Sequence, residues 1–188
     1  YWTRLTIRDD DGASATAFTE TIVTRTSLCP AAPVAGCTAS SGSLRYSMPS
    51  AAGKRSVQWK WDDGSVTSFG NPAVSTELAL CIYDADGRAL ATATRPDSAL
   101  WTDRGTAGLR FKDKDAAPSG FRTMQLRAGD GDARIKLKGK GAALAEIAGA
   151  LVAPVTVQLV GSDGAECQES VFEEAEISTN EPARFSAS

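Results

Sequence analysis

Five Asp-Gly dipeptides, at Asp11-Gly12, Asp63-Gly64, Asp86-Gly87, Asp130-Gly131 and Asp163-Gly164, divide the 188-residue chain into short stretches in which apolar and polar residues alternate. Asp-Gly accepts the positive φ of a tight hairpin turn, and alternation with a period of two is what a strand with one buried face requires. Together they restrict the chain to an all-β fold and predict an antiparallel β-sandwich. The same dipeptides explain the clustered acids as turn formers, without any chemistry.

The chain contains no histidine. A Ser-His-Asp or Cys-His nucleophile therefore has no imidazole base, and the commonest transition-metal ligand is missing. Carboxylate, lysine and thiolate chemistry remain. A formal charge of -3 and a pI near 5.1 argue against a general nucleic-acid binder, whose usual footprint is a basic domain. The 42% hydrophobic content supports one good core, or one core and part of a second. No apolar run approaches the roughly 20 residues that span a bilayer, so no membrane insertion by this segment is expected. Tyr1 already falls inside a strand pattern, with neither an initiator methionine nor a signal sequence before it, so the sequence reads as a fragment of a longer chain.

An even number of cysteines in a loop-rich β chain favours disulfides and an oxidising compartment, extracellular or at the cell surface. Of the three ways to pair Cys29, Cys37, Cys81 and Cys167, the expected one is Cys29 with Cys37 and Cys81 with Cys167. The first pair would close a small loop holding Pro30, Pro33 and Gly36, and the second would tie two distant strands. The alternative leaves Cys81 and Cys167 as reduced core residues. No Cys-x-x-Cys spacing supports a zinc site, and no metal or other cofactor is expected.

Residues 1–9 alternate, with Tyr1, Leu5 and Ile7 opposing Trp2, Arg4, Thr6 and Arg8, then turn at Asp10-Asp11-Gly12 and return through 13–23. A lone two-stranded hairpin is only marginally stable, so these residues belong to something larger. Tyr1-Trp2-Thr3-Arg4-Leu5-Thr6-Ile7-Arg8-Asp9-Asp10-Asp11-Gly12, with the strand that follows, resembles the last two strands of a PKD domain. That family is an immunoglobulin-like sandwich of secreted and cell-surface proteins. The resemblance covers residues 1–24. Trp61-Asp62-Asp63-Gly64 is similar to an earlier turn of that family but falls after the hairpin and does not extend the match.

The next stretch, 25–41, is rich in Thr, Ala, Ser, Pro and Gly and reads as a linker pinned by the first cysteine pair. The β-sandwich domain is expected over 42–188. Its nine candidate strands are 43–48, 57–61, 76–83, 89–94, 109–112, 122–128, 133–138, 155–160 and 167–172. Only 142–150 has a helix-like composition, bounded by Gly149 and Pro154. This part resembles an uncharacterised repeat-like domain of secreted or surface proteins of environmental bacteria. The likeness rests on Leu80-Cys81-Ile82-Tyr83-Asp84, Phe111-Lys112-Asp113-Lys114, Lys138-Gly139-Lys140-Gly141, Pro154-Val155-Thr156-Val157-Gln158-Leu159 and the run 167–172. It implies location and architecture, and no activity.

Four features could carry function. Asp-rich turns suggest calcium, but EF-hand spacing fails: around Asp86-Gly87 the ligand positions fall on Ile82, Asp84 and Asp86, and the closing acid would be Ala93. Asp9, Asp10 and Asp11 are the densest remaining cluster. The neighbouring acids Asp62 and Asp63, or Glu173 and Glu174, would point to opposite faces of a strand and cannot flank one glycosidic bond. Trp59, Trp61 and Trp101 could form a glycan-stacking platform, although sharing a face with Val57 suits a core equally well. Arg134, Lys136 and Lys138 alternate with Ile135 and Leu137 and form a basic row, either a solvated face or edge or a polyanion site. The acids Glu166, Glu169, Glu173, Glu174 and Glu176 crowd the C-terminal part and offer that row a partner within the chain.

The sequence thus predicts a non-catalytic structural or adhesion module of a larger secreted or surface-attached bacterial protein, or alternatively a carbohydrate-binding accessory module. Its expected partners are other domains of the same chain, and surface glycans or proteins.

Overall fold

The computed structural model describes the strands Trp2–Arg8 (β1) and Ser14–Glu20 (β2), and residues 28–117 and 119–188. The turn at 9–13, with Asp11-Gly12 and the cluster of three acids, lies outside the described residues. β1 and β2 pair antiparallel from Trp2 opposite Glu20 to Arg8 opposite Ser14, the hairpin that the alternation predicts.

The remaining strands form two sheets. In chain order they are Thr38–Ala39 (β3), Gly42–Ser47 (β4), Ser56–Val66 (β5), Leu78–Asp84 (β6), Gly87–Ala93 (β7), Trp101–Asp103 (β8), Leu109–Lys112 (β9), Phe121–Arg127 (β10), Gly129–Lys140 (β11), Val155–Gly161 (β12), Gln168–Phe172 (β13), Ile177–Glu181 (β14) and Arg184–Ala187 (β15). The larger sheet has the order β14-β15-β4-β5-β11-β10-β9-β8, and the smaller β3-β13-β12-β6-β7. All pairings are antiparallel except β13 with β3. The fold is an all-β sandwich, and all nine strands read from the alternation are present.

Its core lies between the sheets. Val57, Trp59 and Trp61 of β5, Ile135 and Leu137 of β11, and Met124 and Leu126 of β10 face Leu80, Ile82, Val157 and Leu159 of the smaller sheet. Alternation of buried and exposed positions, from Met124 along β10 and from Ala133 along β11, leaves the other face of these strands open to solvent.

The smaller sheet is built differently. β6 is buried at six consecutive positions, Leu78 to Tyr83, because both its faces are covered. Leu78, Leu80 and Ile82 enter the main core, whereas Ala79, Cys81 and Tyr83 form a second apolar cluster with Cys29. The cover is the segment expected as a linker. Its residues 28–37 cross the outer face of the smaller sheet between the two disulfides, and 38–39 join that sheet as β3.

Those disulfides correct the expected pairing. Cys29 is bonded to Cys81, 52 residues away, and Cys37 to Cys167, 130 residues away. The small loop 29–37 is not closed on itself; both its ends are fixed to the sheet. In the chain-entropy picture, loops of these lengths are worth about 4 to 5 kcal/mol each. Between the anchors, the Gln158 amide accepts from the Val34 N–H and donates to the Val34 C=O, both at 2.9 Å, and so replaces a strand partner. The chain then crosses to the larger sheet at Ser40 and Ser41, where the Ser40 hydroxyl donates to the Asp62 C=O at 2.6 Å and the Asp62 N–H to the Ser41 C=O at 3.1 Å.

Two further expectations change. Residues 142–150 form no helix. Leu144, Ile147 and Leu151 have helical spacing, but Gly141 and Gly149 take φ of 108° and 82° and leave too few residues between them for a stable helix. Instead the three side chains are buried in the main core. Nor does Asp63-Gly64 make a hairpin. It is a bulge inside β5, where the register against β11 shifts between Ala133 and Ile135. Asp63 takes φ 62°, and a Cβ on Gly64 would run into the Trp61 indole. Asp163-Gly164 does form the tight turn expected, with φ of 59° and 72° and a 3.2 Å bond from the Ala165 N–H to the Ser162 C=O.

Candidate functional site

Arg134, Lys136 and Lys138 are exposed on β11, whose open-face positions are every second residue. β11 is no edge: it lies between β5 and β10, so the basic row runs down the middle of an eight-stranded sheet. The register then extends it sideways. Across one row stand Ser43 of β4, Lys60 of β5, Lys136 of β11, Gln125 of β10, Arg110 of β9 and Thr102 of β8. Across the next stand Arg45, Gln58, Lys138, Thr123 and Lys112. Cations from β4, β5, β11 and β9 thus share one surface, interleaved with amides and hydroxyls.

Neutralisation of this face is partial and confined to one end. Among the described residues, Arg127 pairs with Asp132 at 2.6 Å and Arg134 with Asp62 at 3.7 Å. Lys60 and Lys136 are direct cross-strand partners of like charge, and Arg134 stands opposite Arg127. Such pairs are destabilising, by a few tenths of a kcal/mol up to about 1. The C-terminal acids are engaged elsewhere: Glu166 accepts from the Thr67 N–H at 3.1 Å, Glu169 accepts from the Gln158 amide at 2.9 Å, and Glu173 and Glu176 cap a single 3-10 turn. Shallow hollows of about 180 Å³, between Gln125, Arg127, Arg134 and Lys136, and about 160 Å³, between Ser43, Arg45, Gln58 and Lys60, give the face relief.

The aromatic platform fails on burial. Trp59 and Trp61 are 0% exposed and Trp101 5%, so none of the three offers a ring face to a sugar. Trp61 donates its indole N–H to the Glu169 C=O at 2.9 Å and so bridges the sheets, while Trp101 tilts against Phe111 with centroids 5.2 Å apart. The reason is the register of β5, which directs Val57, Trp59 and Trp61 together into the core.

The neighbouring carboxylates sit in irregular backbone. Asp62 and Asp63 occupy the β5 bulge, and Glu173 and Glu174 a capped turn. A groove of about 530 Å³ along β7 contains both Asp97 and Asp113, but each holds its own loop, accepting from the Ala99 N–H at 2.8 Å and the Asp115 N–H at 2.9 Å. Among the described residues no three Asp, Glu, Cys or His side chains gather to hold a metal ion, and no helix is long and apolar enough to cross a membrane. Burial raises Tyr46 to about 12, helped by the negative charge of Asp84, and also raises Tyr83, which Arg88 partly opposes. Both tyrosines serve packing: Tyr46 stacks on Phe185 at 5.5 Å and 8°.

Lys60 and Arg45 are the residues that sequence reasoning missed. The alternation of Val57-Gln58-Trp59-Lys60-Trp61 puts Lys60 opposite the indoles, but only the pairing of β5 with β11 brings it beside Lys136. Comparison with known protein families, curated proteins and solved structures finds no match to the chain.

Proposed function

We propose that the chain is a non-catalytic structural and adhesion module of a larger secreted or cell-surface bacterial protein, presenting the open face of its eight-stranded sheet to a partner surface. One observation carries this reading: a disulfide-anchored segment covers part of the outer face of the smaller sheet, whereas on the larger sheet the outward side chains of β5 and β11 are exposed and carry a row of cations. A rigid scaffold with one free face suits display and attachment. The two disulfides fit an oxidising compartment. The hairpin β1–β2 is read as the end of a preceding PKD-like domain, on the resemblance of residues 1–24.

The test is attachment of beads coated with the oxidised protein to surfaces carrying bacterial cells, dextran, polygalacturonate or albumin, together with a screen for hydrolysis of chromogenic glycosides. The reading expects attachment to at least one surface beyond that of albumin-coated beads, with no turnover. Turnover abolished by Asp97→Asn or Asp113→Asn would replace it with an enzyme, and failure to attach anywhere would remove adhesion from it.

A further inference from the structure

We infer that the open face of the eight-stranded sheet binds an acidic polysaccharide, with Lys60, Lys136 and Lys138 as the central cation set; this rests on the adhesion reading above. The first reason is the like-charged pair. Lys60 and Lys136 face each other directly across β5 and β11 on a solvated face, where the pairing lowers stability. An anionic group placed between them relieves that repulsion, and no carboxylate of the described residues pairs with either lysine.

The second reason is spacing. Neighbouring strands lie about 4.8 Å apart, and alternate residues along a strand about 6.8 Å apart, so Lys60, Lys136 and Lys138 spread three charges both across and along the sheet. A polymer with a charge on successive units meets several at once. The third reason is what lies between the cations. Ser43, Gln58, Thr123 and Gln125 supply neutral donors and acceptors on the same rows, matching ring hydroxyls as the lysines match carboxylates or sulfates.

The same surface is poorly suited to nucleic acid. Single strands are held by aromatic side chains on which bases stack, and duplexes by a helix or ribbon entering a groove. Among the described residues the exposed large apolar side chains are Val74, Val152 and Val171, none of them aromatic. A broad sheet face with no projecting ring recognises the charges and hydroxyls of a flexible acidic glycan instead.

The experiment is affinity electrophoresis of the oxidised protein in gels containing polygalacturonate, dextran sulfate, dextran or poly(dT), for wild type, Lys60→Glu/Lys136→Glu and the control Lys54→Glu, in the 3-10 turn that precedes β5, each checked by thermal unfolding. Retardation by one or both acidic glycans is expected, at least tenfold weaker in the double variant, unchanged in Lys54→Glu, and absent with dextran. Retardation by dextran that survives the double substitution would overturn the inference while leaving adhesion standing. So would poly(dT) binding stronger than that of either acidic glycan. No retardation by any polymer would overturn it too, and would reach the adhesion reading only if the bead assay also failed.

Discussion

The two sheets treat their outer faces in opposite ways. On the smaller sheet, Ala79, Cys81, Tyr83 and Gln158 lie beneath residues 28–37, held by two disulfides and by a side-chain amide that imitates a backbone partner. On the larger sheet, Gln58, Lys60, Lys136 and Lys138 are exposed. The difference is written in the strands themselves. A strand covered on both faces loses its alternation and becomes an unbroken apolar run, as β6 does, whereas a strand with one wet face keeps it, as β11 does. Where a sheet retains alternation but concentrates one sign of charge, solubility alone is a weak explanation, because like charges directly opposite lower stability.

The largest expected effect tests the shared core on which both faces depend. Trp59→Ala should cost about 3 to 5 kcal/mol, read as a lowered urea midpoint, because a fully buried indole leaves a cavity that neighbouring strands cannot fill. A loss below about 1 kcal/mol would mean that Trp59 is not in the core, and would reopen the stacking platform.

Opening the covered face comes next. Cys37→Ser/Cys167→Ser should lower stability by about 2 to 5 kcal/mol and speed hydrogen exchange at the Val34 amide, which the second anchor holds against Gln158. If Val34 exchange does not change, the cover is held by packing rather than by the bridge.

A third effect is pH-dependent. Burial raises Tyr46 to about 12, whereas an unfolded tyrosine ionises near 10. The folded state therefore holds the proton longer than the unfolded state, and the stability Tyr46 contributes is complete below pH 10 and lost as pH rises toward 12. Urea midpoints should fall between pH 9.5 and 11.5 in wild type and less steeply in Tyr46→Phe.

The smallest effect bears most directly on the open face. Lys136→Glu should raise stability by about 0.2 to 1 kcal/mol, since it converts a repulsive cross-strand pair with Lys60 into an attractive one. Unchanged or reduced thermal stability would show that the two lysines avoid each other at no cost, and the argument from repulsion would fall.

Much of this contrast is legible in the amino-acid sequence. Most of the nine principal strands announce themselves through alternation and β6 through its apolar run, and the basic row of β11 shows in Arg134-Ile135-Lys136-Leu137-Lys138. β3, β8, β14 and β15 do not, because stretches such as Thr38–Ala39 or Ile177–Glu181 are too short or too polar to show a period and acquire their conformation from the strand beside them. Cysteine pairing escapes for a related reason: it depends on which strands become neighbours, and Cys37 reaches Cys167 only because β3 runs parallel to β13. Asp63-Gly64 reads as a turn because the same dipeptide serves both a hairpin and a bulge, and only the Trp61 ring over Gly64 separates the two. The candidate site is half visible, since alternation gives each strand its charges while register decides which charges meet.

Lysine-reactivity footprinting of the oxidised protein, with and without polygalacturonate, tests the central claim most directly. Protection of Lys60, Lys136 and Lys138, with Lys54 as reactive as before, is the predicted result. Unchanged reactivity at all four lysines, or protection confined to Lys54, would contradict it.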